Sequence, residues 1–136
     1  MLLLLTMNIA DANSVLLQQL SAKDGSPSCP QLAHENDNIQ AELQQIVIAD
    51  IRPSYVPMRA AKCLLQLYPE DVNTYREWMI TPEQKGLAYL VVNQMSSLPI
   101  DVSLALASQG LNGPLEEELR IRLHQVSIPE IQQLLH

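Results

Sequence analysis

The stretch Ser54-Tyr55-Val56-Pro57-Met58-Arg59-Ala60-Ala61-Lys62-Cys63-Leu64-Leu65-Gln66-Leu67-Tyr68-Pro69 reads as one complete helix, with its start, buried stripe and stop all visible. Ser54 can cap the N-terminus, and Pro57 falls in the first turn, where a missing N–H leaves no helical bond unmade. Met58, Ala61, Leu65 and Tyr68 share one face, which Cys63, Leu64 and Leu67 widen. Ala60 and Ala61 are small enough to admit a close neighbour. Pro69 stops the helix, because it disfavours a helical residue before it and supplies no N–H. The closing Tyr68-Pro69 recurs as Leu98-Pro99 and Ile128-Pro129, at spacings of 30 and 30 residues. The same shift lays Leu65 on Met95, Cys63 on Asn93 and Leu123, and Asp71-Val72 on Asp101-Val102. A unit of that length holds a helix pair too small to bury its own apolar face, so neighbouring units must stack.

Upstream of this helix, Ile51-Arg52-Pro53 stops a helix whose Ile39, Leu43, Ile46 and Val47 lie on one face. Before that, Lys23 to Pro30 breaks all periodicity with Gly25, Pro27 and Pro30, and the reading assigns a loop over 23–36. Helix resumes either at Gln31 or near Asp37. A first amphipathic helix runs from Asp11 to Ala22 through Val15, Leu16, Leu17 and Leu20. The segment 1–12 has two readings. Leu2 to Leu5 followed by Ala10-Asp11-Ala12 resembles the end of a secretory signal, an apolar run and then a small-residue cleavage site. The alternative is the start of the first helix, burying those leucines. The apolar run is far too short to cross a membrane.

Downstream, Asp71 to Met79 is a shorter helix carrying Val72, Tyr75, Trp78 and Met79. Thr81-Pro82-Glu83-Gln84 predicts a capping box, opening a helix to about Ser96 with Leu87, Leu90, Val91 and Met95 on its face. Pro99 opens the next, and Gly110 is expected as its left-handed stop. Asn112-Gly113-Pro114 begins another, with Glu116, Glu117 and Glu118 at its positive end. Ser127-Ile128-Pro129-Glu130 is a second capping-box candidate before a short final helix. No strand-like alternation occurs. The fold class is all-α, with about seven or eight helices and a single domain over 13–136.

Composition narrows the function classes. The net charge is −7, from 15 acidic and 8 basic residues, and the basic ones are scattered. Phosphate backbones are bound by neutralising them with Lys and Arg, so a nucleic-acid role is disfavoured. Cys29 and Cys63 lack a CxxC spacing, and His34, His124 and His136 show no ligand spacing to them, so neither a zinc site nor any other metal is expected. The two cysteines are either buried thiols or one disulfide, and the compartment decides which. No GxSxG, HExxH, P-loop or GxGxxG is present, so neither a catalytic centre nor a cofactor is assigned.

The residues Val56-Pro57-Met58-Arg59-Ala60-Ala61-Lys62-Cys63-Leu64-Leu65, preceded by Asp50-Ile51-Arg52-Pro53, resemble a HEAT-type repeat, the antiparallel helix pair of α-solenoids. The likeness covers roughly residues 37 to 127, and the other copies depart from it, with Tyr89 and Leu119 at the position of Arg59. The resemblance implies antiparallel pairs stacked as a short α-solenoid, and an ion pair from Arg59 to a turn carboxylate, Asp50 or Asp71. It also implies an extended surface that binds a protein or peptide. The functional expectation is therefore a non-catalytic binding or scaffold module, periplasmic or secreted, with a cytoplasmic setting as the alternative. The runner-up is an enzyme or enzyme accessory holding a small ligand in an inter-helix groove. Tyr55, Tyr75, Trp78 and Tyr89 form the candidate interaction surface, against the plainer reading that they are core.

Overall fold

A computed structural model of the chain describes residues 15–22, 27–49 and 53–136, and among these there are nine α-helices and no strand. The all-α class is as expected. The chain divides into two compact units, Met1–Leu67 and Tyr68–His136. The segment 1–12, with its two readings, lies outside the described residues, as does Asp50.

The first unit contains α1 (residues 15–21), α2 (Cys29–Glu35), α3 (Ile39–Ile48) and α4 (Tyr55–Leu67). The expected loop over 23–36 is thus corrected, because helix resumes at Cys29. Ser28 caps it, its Oγ accepting the Gln31 N–H at 3.3 Å, and Pro30 sits in the first turn, where proline is tolerated. The helix buries one residue, Leu32, which is why no apolar period announces it. Asn38 turns the chain into α3 with φ of 55°, a left-handed conformation that Asn adopts more readily than other side chains. In α3, Ile39, Leu43, Ile46 and Val47 are all buried. The stripe of α4 buries Val56, Ala60, Ala61, Cys63, Leu64 and Leu65, and this helix packs on both α2 and α3.

The second unit contains α5 (Val72–Ile80), α6 (Lys85–Gln94), α7 (Ile100–Leu111), α8 (Glu116–Leu123) and α9 (Pro129–Leu134), with 3-10 turns at Pro82–Gln84 and Met95–Ser97. Here α7 packs between α5 and α9, while α6 packs on α8; contacts of α5 with α6 and of α7 with α8 join the two rows. The prolines 69, 99 and 129 each precede or open a helix of the first row. Their 30-residue spacing is therefore the spacing of that row.

Three local expectations are corrected in this unit. Gly110 lies inside α7 and is not a left-handed stop; a Cβ there would sit 2.7 Å from Leu119 Cδ1 and 3.0 Å from Met79 Cε, so glycine admits the close approach of α8 and α5. Thr81 forms no capping box: its Oγ1 donates back to the Glu77 carbonyl at 2.6 Å. Ser127 forms none either, since Ile128 precedes α9 without a side-chain cap. The end of α8 is instead tied by Gln132, whose Nε2 donates to the carbonyls of Leu123 at 3.0 Å and Val126 at 2.5 Å. Buried Ser103 plays a similar part after α6, donating from Oγ to the Met95 carbonyl at 2.9 Å.

A polar cleft as candidate functional site

In the first unit the singled-out residues come together as fastenings. The Sγ atoms of Cys29 and Cys63 are 2.10 Å apart with Cα atoms 5.2 Å apart, a disulfide that joins α2 to α4. Arg59 Nη1 donates to the carbonyls of Leu20 at 2.7 Å and Ala22 at 2.6 Å, and Asp50, one of its two expected carboxylate partners, lies outside the described residues. Tyr55 Oη donates to the Ser21 carbonyl between them at 2.8 Å, and the guanidinium lies 4.6 Å from the Tyr55 ring centre. Three successive carbonyls at the C-terminal end of α1 are thereby captured from α4, where a helix exposes unsatisfied acceptors and favours a cation. Asp71, the other expected partner of Arg59, belongs to the second unit, where its carboxylate accepts from Thr74 Oγ1 at 2.7 Å at the start of α5.

The candidate aromatic surface is also corrected. Tyr75 is 0% and Trp78 4% exposed, with ring centres 5.0 Å apart and a 59° tilt, so both are core. The Tyr75 hydroxyl donates to the Tyr68 carbonyl at 2.7 Å. Burial, and then the charge of Asp71, push its phenol well above the usual range, which keeps it a donor. Tyr89 remains half-buried, and the guanidinium carbon of Arg122 lies over its ring, 3.6 Å from the ring centre.

That stacked arginine borders a cleft of about 260 Å³ within the second unit. One wall comes from the end of α6 and its 3-10 turn, with Val92, Asn93 and Ser96. The other comes from the end of α8 and the turn after it, with Arg122, Gln125, Val126 and Ser127. Gln132 holds that turn in place through Val126. The side chains of Asn93, Ser96, Arg122, Gln125 and Ser127 hydrogen-bond to no other described residue. Such groups can hold and orient a ligand. One trace of the cleft is present in the sequence. At the repeat position of buried Cys63 and Leu123 stands Asn93, exposed and polar. Arg122 carries no such mark.

Among the described residues no group of three His, Cys, Asp or Glu could hold a metal ion, and no helix is long and apolar enough to cross a membrane. No protein-family model, no curated protein and no solved structure matches the chain.

Proposed function

We propose that the chain is a non-catalytic, HEAT-like helical binding module that engages a peptide or a segment of another protein in a periplasmic or secreted setting. The observation that carries the binding reading is the cleft, where five polar side chains with no partner among the described residues converge on one small space. All five are exposed and hydrated in the free chain, and a ligand seated there would exchange that water for its own donors and acceptors. The HEAT-like reading draws support from the two joined rows of the second unit and from the proline spacing that sets the first row. The setting draws support from Cys29 and Cys63, because disulfides persist in oxidising compartments.

The test places a photo-crosslinking residue at exposed Gln125 and, as a control, at exposed Lys62, in the cells that make the protein. A discrete polypeptide adduct from position 125, absent from position 62, is the expected result. Adducts from neither position, or equally from both, would remove the reading. Mass spectrometry of the same preparations checks the setting: the cysteines are expected oxidised in an envelope or extracellular fraction.

A further inference from the structure

We infer that the cleft takes a single carboxylate of the bound peptide, an Asp or Glu side chain or a chain end, held edge-on by the Arg122 guanidinium. This rests on the peptide-binding reading above and names the chemistry of its contact. Arg122 is exposed and forms no ion pair with any described carboxylate, although Glu118 stands one turn earlier on α8. Arg120, two positions earlier on α8, is satisfied by Glu116, with Nε at 3.1 Å and Nη2 at 3.0 Å. Arg122 instead gives one face of its plane to Tyr89. Stacking occupies the face and leaves the in-plane N–H fork open, the geometry that meets a planar carboxylate through two parallel bonds. It also fixes the orientation of the plane before any ligand arrives, which lowers the entropy lost on binding.

The rest of the lining fits that ligand better than the alternatives. Asn93 and Gln125 amides and Ser96 and Ser127 hydroxyls both donate and accept, so they can complete the carboxylate and meet the peptide groups next to it. A cationic ligand would face Arg122 at close range. The C-terminal ends of α6 and α8 and the net charge of −7 oppose any anion here, a doubly charged phosphate more than the single charge of a carboxylate, which one guanidinium neutralises. A neutral ligand could offer a carbonyl to the guanidinium, as Leu20 and Ala22 do to Arg59, but would leave its charge without a counter-charge. The volume of about 260 Å³ suits one or two side chains, not a folded surface.

The test is a nitrogen-15 NMR titration of the full, oxidised chain with three probes: acetyl-trialanine bearing a free C-terminal carboxylate, its C-terminal amide, and glutarate. Saturable millimolar shifts at Asn93, Ser96, Gln125 and Ser127 are expected with the free carboxylate, weakened at least ~10-fold by amidation, the loss of one charge-assisted pair. Arg122→Gln should weaken the carboxylate peptide by a similar factor. Arg122→Lys should fall between, keeping the charge and losing the fork. Equal binding of the amide, or indifference to Arg122→Gln, would overturn the inference. Glutarate shifting these residues while the peptide does not would overturn the peptide as source. A position-125 adduct that persists in Arg122→Gln, with no peptide shifts, would sink the carboxylate contact and leave the binding module standing.

Discussion

The first unit adds a covalent bond to its packing and side-chain ties, whereas the second relies only on packing and on polar ties such as those of Gln132 and Ser103. In the first, Cys63 is bonded to Cys29, and Arg59 and Tyr55 hold the end of α1 through its carbonyls. In the second, α7 presents Gly110 to Leu119 and Met79, and Tyr75 and Trp78 fill the core beside them. The contrast follows from what the helices bury. A helix such as α2, with Leu32 its one buried residue, gains too little from apolar contact to hold a place by itself. A covalent tie or a set of strong polar bonds supplies what packing does not. The helices α5 to α8 each bury two or more side chains, and no disulfide is found among them.

Removing the covalent tie should give the largest effect. Cys29 and Cys63 are 34 residues apart, and closing a loop of that length restrains the unfolded chain by about 4 kcal/mol in the entropy model. The paired substitution Cys29→Ala and Cys63→Ala should lower stability by that order. Hydrogen exchange should accelerate in α2 and α4 while α5 to α9 keep their protection. Equal loosening of both units would dissolve the contrast.

Next in size is a packing change in the second unit. Leu119 is fully buried against Gly110, and Leu119→Ala should destabilise by about 3 kcal/mol, measured by urea unfolding. Gly110→Ala alone combines a helix-propensity gain with overpacking and should destabilise by about 1 kcal/mol net. With Leu119 already truncated, the contact at 2.7 Å is gone and only the flexible end of Met79, at 3.0 Å, must give, so the sign should reverse. Simple additivity would show that the close approach of α7 and α8 is not what Gly110 provides.

Where the sequence was readable and where it was not follows the same physical division. The apolar stripes of α3 and α4 and the proline spacing of the α5, α7 and α9 row were visible, because burial imposes a period on the chain. The sequence leaves α2 open, with helix resuming at Gln31 or near Asp37, because it buries one side chain. Thr81 and Ser127 misled because a hydroxyl can bond backward as readily as forward, and the choice depends on the turn that follows. For Trp78 and Tyr75 the sequence offers both a surface and a core reading, since composition says nothing of which side of a helix faces a neighbour, and burial decides for the core. The cleft was illegible apart from Asn93, because Ser96, Arg122, Gln125 and Ser127 meet through packing of α6 on α8, and no local pattern encodes that.

Arg59→Met should follow in size, at about 2 kcal/mol, the range for hydrogen bonds made by a charged group. The methionine keeps much of the aliphatic contact but leaves the carbonyls of Leu20 and Ala22 without their donor. Exchange should rise at the end of α1. If protection there is unchanged, the captured carbonyls are not what holds that helix.

The smallest effect is a charge in the first unit that neither fastening nor packing satisfies. Half-buried Glu42 on α3 has a buried Oε2 without a hydrogen-bond partner, and burial, then the nearby charge of Asp37, raise its carboxyl above the ordinary 4.5. Below that value the folded and unfolded chains are both protonated, and the group carries no penalty. As pH rises through the higher folded value, the unfolded chain ionises more readily than the folded one, and stability falls. Glu42→Gln should therefore be slightly more stable than the parent near neutral pH, with the difference closing on acidification to below 4.5. Paired urea midpoints at the two pH values check it. A difference of equal size at both would mean that the amide acts through its shape or hydrogen bonding and not through the removed charge.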